Sequence, residues 1–160
     1  VCSVKTIKKI INRANEFDVP VYVDPKGSDW GKYEKATSIT PNKKEIENEL
    51  NVKLIDDINF EKAGREMIDK LQLQSCLITR GSKGMTYVDK DITIHQKVNK
   101  KEVFDVSGAG DTVIACFAAC SVSKIKVKEF IELSSDLSSE VVTHVGTIPF
   151  SLNMMEKKYA

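Results

Sequence analysis

The stretch Asp105-Val106-Ser107-Gly108-Ala109-Gly110-Asp111 is followed at once by an apolar run, Thr112 to Ala119. Small residues before an apolar run of helical spacing predict a loop that leads into the N-terminus of a helix. The first amides of a helix have no partner inside the helix, and with the helix dipole they attract anions. The stretch therefore predicts an anion site at the start of a helix.

The residue types within this stretch indicate what the anion is. Gly108, Ala109 and Gly110 leave room for a phosphate against the backbone, so we expect them to form an anion hole. Asp111 falls in the first helical turn, where a carboxylate can take a proton from an attacking hydroxyl. Together they predict phosphoryl transfer with Asp111 as the base. A turn in which an acidic residue merely complements the helix dipole would explain the same residues.

The rest of the chain alternates between strand-like and helix-like patterns. Short β-branched or aromatic runs predict strands at 19–23, 36–40 and 75–79 and a hairpin of 85–88 with 92–95. Helical spacing predicts helices at 4–17, 43–50, 60–71, 112–123 and 128–145, the fourth of them apolar nearly all round and therefore buried. This alternation predicts a single α/β layered domain over residues 1–160 with a mainly parallel sheet. Ligands in such sheets bind beyond the C-terminal strand ends.

Three further segments follow predicted strands, at that same edge of the sheet. They are Asp24-Pro25-Lys26-Gly27, Asn42-Lys43-Lys44-Glu45 after Thr40-Pro41, and Thr79-Arg80-Gly81-Ser82-Lys83-Gly84. Each also has a purely structural interpretation: a proline turn with a solvated lysine, a helix capping box, and a two-glycine turn. The glycines of the third segment would let the backbone run beside nucleotide phosphates and ribose.

In this order the four segments resemble those of the ribokinase-type (PfkB) sugar kinases, and the resemblance extends from about Val19 to Thr147. Within that family, residues 24–42 and the late His144-Val145-Gly146-Thr147 are most similar to the heptose 7-phosphate kinases. Those kinases are the first activity of the bifunctional ADP-heptose synthases. The resemblance implies a ribokinase-like fold, of which this chain is the C-terminal, nucleotide-binding half without the N-terminal half and its lid.

The resemblance also implies the cofactors, ATP and Mg²⁺, and the residues that bind them. It places Asn42 and Glu45 at the metal, Glu45 mainly through water, which suits an ion that keeps several waters. It implies that Asp111 activates the hydroxyl at carbon 1 of D-glycero-D-manno-heptose 7-phosphate, giving the 1,7-bisphosphate for ADP-heptose and lipopolysaccharide. The implied ATP-binding residues are Asn42, Lys43, Lys44, Glu45, Thr79, Gly81 and Gly84.

Two alternatives to this function stay open. Relatives carry their sugar-contacting residues mainly in the N-terminal half, whereas this chain starts at Val1 inside a predicted helix. The substrate could therefore be ribose, a fructose phosphate or a nucleoside. The chain could also be a non-catalytic nucleotide-binding or assembly fragment, and we expect it to be inactive in isolation. A homodimer of the full-length parent is compatible with relatives that pair through their lids.

Composition excludes several other classes of protein. A net charge of +1 over 160 residues gives no electrostatic reason to expect nucleic acid or an anionic membrane as partner. No apolar run approaches a membrane span, and no signal peptide opens the chain. The four cysteines lack metal-ligand spacing and predict core packing in a reducing cytoplasm. They are Cys2, Cys76, Cys116 and Cys120.

Overall fold

The computed structural model describes residues 3–98, 108–123 and 125–143. These residues belong to two compact units, unit 1 (Val1–Lys97) and unit 2 (Val98–Ala160). The described part of unit 1 contains α1 (Val4–Glu16), β1 (Tyr22–Val23), β2 (Ser38–Ile39), α2 (Lys43–Leu50), α3 (Asp57–Leu71), β3 (Ser75–Thr79), β4 (Met85–Asp89) and β5 (Thr93–Gln96). That of unit 2 contains α4 (Ala109–Ser121) and α5 (Val127–Val141).

The sheet of unit 1 has its strands in chain order, β1-β2-β3-β4-β5. The first three strands are parallel, with Tyr22 opposite Ser38 and Ile39 opposite Cys76. β4 and β5 continue the sheet as antiparallel neighbours, which form the predicted hairpin. The predicted α/β architecture is thus confirmed, and its parallel part is the segment β1–β3.

β3 forms the centre of this sheet and of the core. Cys76, Leu77 and Ile78 are each 0% exposed, as expected of a central strand that is covered on both faces. Helix α3 packs across β3 and β4 and buries Phe60 and Met67 in the same core. Because β3 is held on both edges and both faces, its C-terminal end is a fixed point for the residues that follow.

β1 is shorter than the predicted strand 19–23, and the reason lies at its start. The amide of Val19 donates to the Ala14 carbonyl oxygen at 2.9 Å and so closes the end of α1. Pro20 has no amide to donate. Pairing therefore begins only at Val21, whose carbonyl oxygen accepts from Thr37 at 2.8 Å. β2 is likewise shorter than predicted, because Ala36 is still bonded into the preceding turn.

Helix boundaries follow the capping residues. α2 has the predicted bounds, whereas α3 begins at Asp57, before the predicted start at residue 60, because Asp56 and Asn59 form a capping box. α4 begins at Ala109 rather than Thr112, since Gly108 takes a left-handed conformation that starts the helix earlier. α5 ends at Val141, and the predicted helical residues 144 and 145 lie outside the described ranges.

In unit 2, α4 and α5 pack against each other, with the Phe117 and Phe130 ring centroids 5.2 Å apart. The prediction of a helix buried all round was wrong for α4. Only the stripe Val113, Phe117 and Cys120 is buried, and Val122 just after the helix is 68% exposed. Helix α5 covers one face of α4, while Ala115 and Ala119 on another face are exposed.

The described cysteines behave as the composition predicted. Cys76, Cys116 and Cys120 are free thiols, and Cys76 and Cys120 are buried. The sulfur atoms of Cys116 and Cys120 lie 3.9 Å apart on one face of α4. Among the described residues, no helix is long and apolar enough to cross a bilayer.

Close packing of α3 on β4 depends on Gly64, and its replacement tests the fold. A Cβ at this position would lie 2.6 Å from Cγ2 of Val88. Alanine normally favours a helix, but here the overlap costs more, and we expect Gly64→Ala to lower the unfolding free energy by about 1–2 kcal/mol in urea titrations. In a Val88→Ala background the same change should be neutral or stabilising. Equal effects in both backgrounds would contradict the packing.

Candidate functional site

The C-terminal ends of the three parallel strands meet at one edge of the sheet. The amide of Thr40, just after β2, donates to the Val23 carbonyl oxygen at 2.8 Å. The amide of Thr79, at the end of β3, donates to the Pro41 carbonyl oxygen at 2.9 Å, and Thr79 forms a parallel bridge with Asn42. These two backbone hydrogen bonds bring together residues that are 17 and 38 positions apart in the chain. We call Asp24, Lys26, Asn42, Glu45 and Thr79 the strand-end cluster.

Asn42 and Glu45 form the predicted capping box of α2. The Glu45 amide donates to Oδ1 of Asn42 at 2.9 Å, and the Asn42 amide donates to Oε2 of Glu45 at 2.8 Å. This satisfies two otherwise unpaired donors at the helix start. The box uses one carboxylate oxygen of Glu45 and leaves Oε1 available for a second partner.

That partner is Lys26, whose ammonium group lies between two carboxylates. Its Nζ donates to Oε1 of Glu45 at 2.8 Å and to Oδ1 of Asp24 at 3.1 Å. The bond to Glu45 raises the pKa of the lysine above its ordinary value, and Asp24 adds to the effect. Although the Lys26 side chain is 64% exposed, it is ion-paired and not simply solvated. The interpretation of this segment as a proline turn with a solvated lysine therefore misses these ion pairs.

The donor chemistry of this cluster suits a hydrated divalent cation bound together with a phosphate. Asp24 and Glu45 keep 31% and 24% of their side-chain surface exposed. Within the described ranges, no group of three or more His, Cys, Asp or Glu side chains could hold a bare metal ion. Mg²⁺ does not need such a group, because it retains waters and takes few carboxylates beside substrate phosphates.

The glycine loop, Thr79 to Gly84, leaves the strand-end cluster as a tight turn. The Arg80 amide donates to the Gly84 carbonyl oxygen at 2.7 Å, and Gly81 and Gly84 have positive φ angles of 59° and 95°. A Cβ on Gly84 would overlap the carbonyl oxygen of Gln96. Gly84 is therefore required by the turn itself, whereas Gly81 has open space around it among the described atoms.

Arg80 connects this loop to α3, and no sequence motif had indicated this contact. Its Nη1 donates to Oδ1 of Asp57 at 2.6 Å and to the Thr86 hydroxyl at 3.1 Å, and the guanidinium lies 4.2 Å from the Phe60 ring centroid. This pairing holds the pKa of Asp57 below its usual range. With only 10% of its side chain exposed, Arg80 supports the loop, while Lys83 is exposed.

In unit 2, the start of α4 has the features of an anion site. Gly108 is the N-cap, with φ of 79°, and within the described ranges no side chain caps the helix. The Thr112 amide is the first to bond back, to the Gly108 carbonyl oxygen at 2.9 Å. The amides of Gly108 through Asp111 thus have no partner within the helix. Asp111 is exposed in the first turn.

The remaining predicted residues either lie elsewhere on α2 or fall outside the described ranges. Lys43 lies on the side of α2, with its ammonium 3.7 Å from a carboxylate oxygen of Glu47, and Lys44 is exposed. Asp105-Val106-Ser107 and His144-Val145-Gly146-Thr147 lie outside the described residues.

Comparison with solved structures supports the fold assignment. Phosphofructokinase-2 from Escherichia coli, in complex with substrates and products, matches with a TM-score of 0.86 at 19% identity, over 98% of this chain and 52% of that one. Arabidopsis thaliana ribokinase, complexed with ribose and ATP, matches with a TM-score of 0.82 at 24% identity, over 92% of this chain and 49% of that one. The predicted ribokinase-like fold is confirmed.

Sequence comparison supports the same family. The chain is 37% identical over 157 residues to bifunctional protein HldE of Campylobacter concisus, covering 98% of this chain and 33% of that protein. The same protein of Methylobacillus flagellatus is 37% identical over 151 residues, 94% of this chain and 31% of its own length. The chain thus spans about a third of these curated relatives. The family model for pfkB family carbohydrate kinases matches residues 1–153, and the chain belongs to that family.

Proposed function

We propose that this chain is the nucleotide-binding part of a kinase that transfers the γ-phosphoryl group of ATP to a sugar hydroxyl. The observation that carries the proposal is the start of α4, where uncapped amides and Asp111 occur in one helical turn. We further propose carbon 1 of D-glycero-D-manno-heptose 7-phosphate as the acceptor, a cytoplasmic step towards ADP-heptose and lipopolysaccharide. The likeness of residues 24–42 to heptose 7-phosphate kinases and the 37% identity to HldE proteins support this substrate.

The chemical step follows from the residues at the start of α4. Asp111 takes the proton of the sugar hydroxyl. The hydroxyl oxygen attacks the γ-phosphorus of ATP in line with the leaving group, ADP. The amides of Gly108, Ala109, Gly110 and Asp111 donate to the oxygens of the transferring group and stabilise its charge. The helix dipole adds to that stabilisation without any rearrangement at the moment of reaction.

Residues of unit 1 hold the nucleotide in this proposal. Asn42 and Glu45 would hold the hydrated metal through its waters, and Asp24 would add negative charge. The backbone of Thr79, Gly81 and Gly84 lies beside phosphates and ribose, while Lys43 and Lys44 supply positive potential. Mg²⁺, when bound, neutralises phosphate charge and favours departure of ADP.

Replacing Asp111 tests its role as the base. In the complete protein that carries this chain, we expect Asp111→Asn to lower kcat about 10²- to 10⁴-fold, with the Kd for ADP changed less than about twofold. The matched control is Glu129→Gln, which removes the exposed acidic residue from the first turn of α5. If the two variants have the same activity, Asp111 only complements the helix dipole.

Replacing Glu45 separates metal binding from helix capping. Glutamine also serves in a capping box, so Glu45→Gln should leave the unfolding free energy within about 0.5 kcal/mol of wild type. Loss of the charge should weaken ADP binding in Mg²⁺ about three- to tenfold, measured by calorimetry. Glu49→Gln, on the same helix and paired with Lys70, is the control. Unchanged ADP affinity in Glu45→Gln would leave this residue as a cap alone.

The proposed reaction is tested by ADP release with Mg-ATP and three sugars: heptose 7-phosphate, ribose and fructose 6-phosphate. Selective turnover of heptose 7-phosphate supports reaction and substrate together. Turnover of another sugar keeps the mechanism and rejects the substrate. The alternative is a non-catalytic nucleotide-binding role. Nucleotide binding without turnover of any sugar would support that alternative.

A further inference from the structure

The backbone of Lys26 is held by hydrogen bonds, whereas its long side chain is exposed. Its amide donates to the Tyr33 hydroxyl at 3.1 Å, and its carbonyl oxygen accepts from Nζ of Lys32 at 2.9 Å. The Trp30 indole donates to the next carbonyl oxygen, that of Gly27, at 2.8 Å. Trp30 and Tyr33 are both buried, so the loop that carries Lys26 is anchored in the core. Its ammonium is the part that can change position.

The two carboxylates beside this ammonium need a cation. Asp24 and Glu45 both lie within hydrogen-bond distance of one Nζ, and two carboxylates that close repel each other unless a positive charge lies between them. Another exposed lysine, Lys70, pairs at 2.9 Å with a single carboxylate of the described residues, that of Glu49. Lys26 differs because it bridges two carboxylates that come from different strand ends.

We propose that Lys26 is a positioning residue that fills the cation position between Asp24 and Glu45 until a divalent cation displaces it. This extends the proposed function, because the displacing cation would be the one that accompanies the nucleotide. The lysine keeps the two carboxylates in place in the empty site, and the metal and the ammonium cannot occupy the position between them at the same time. The exposed stem lets the ammonium leave without disturbing the anchored loop.

Competition of this kind can be measured without any nucleotide. Lys26→Met keeps the aliphatic stem and removes the ammonium. Mn²⁺, counted as free ion by electron paramagnetic resonance, is the probe. We expect Lys26→Met to bind Mn²⁺ about three- to tenfold more tightly than wild type, since metal no longer displaces two exposed ion pairs. Lys26→Arg should restore the wild-type affinity.

Lys70→Met is the matched control, because it also breaks a lysine–glutamate pair and removes one positive charge. A purely structural role for Lys26 predicts that both methionine variants lose some thermal stability while Mn²⁺ affinity stays unchanged. Equal Mn²⁺ affinities for wild type and Lys26→Met, or binding by neither, would overturn the proposal. So would an equal increase in Lys70→Met. Sugar phosphorylation by wild type is a separate assay, so failure of the proposed function is distinguishable from failure of this inference.

Discussion

The parallel pairing of β2 with β3 is the constraint on which the candidate site of unit 1 depends. It joins Ile39 to Cys76 in register and continues past the strand ends as the bridge between Asn42 and Thr79. A one-residue shift in this register would exchange the side chains that pack on the two faces of β3, so close packing of the core enforces the alignment. The strand-end cluster is thus positioned by burial of residues that take no part in its chemistry.

The capping box at the N-terminus of α2 is compatible with the proposed role of Glu45 at the metal. The capping box fixes Glu45 through Oε2 and leaves Oε1 for a cation, at present the ammonium of Lys26. The side chain therefore has a set orientation before any ligand arrives, which reduces the ordering that binding would require. The sequence leaves open whether Glu45 is a helix cap or a metal ligand, and these two roles do not exclude each other.

Local patterns predicted much of this structure from the sequence. The bounds of α2, the hairpin of β4 and β5 and the early position of Asp111 in a helix all follow from periodicity and capping residues. Short strands were harder, because the length of β1 depends on a bond from Val19 to the end of α1. The exposed face of α4 depends on tertiary packing, which periodicity does not report.

Ion pairs between residues far apart in the chain could not be predicted from the sequence. Arg80 pairs with Asp57, which is 23 residues away, and Lys26 pairs with Glu45, which is 19 residues away. Charged residues are common on protein surfaces, and nothing in their spacing identifies such partners. The motifs predicted which segments meet at this edge of the sheet, whereas the ionic contacts among them became visible only in the structure.

The central claim is that the glycine amides at the start of α4 bind a phosphate of the nucleotide. Its most direct test is a titration of ¹⁵N-labelled protein with Mg-ADP, followed through the glycine amide signals. We expect the signals of Gly108 and Gly110 to shift until they saturate, while those of Gly31 and Gly64 stay in place. Unchanged signals for Gly108 and Gly110, or shifts confined to Gly31 and Gly64, would contradict the claim.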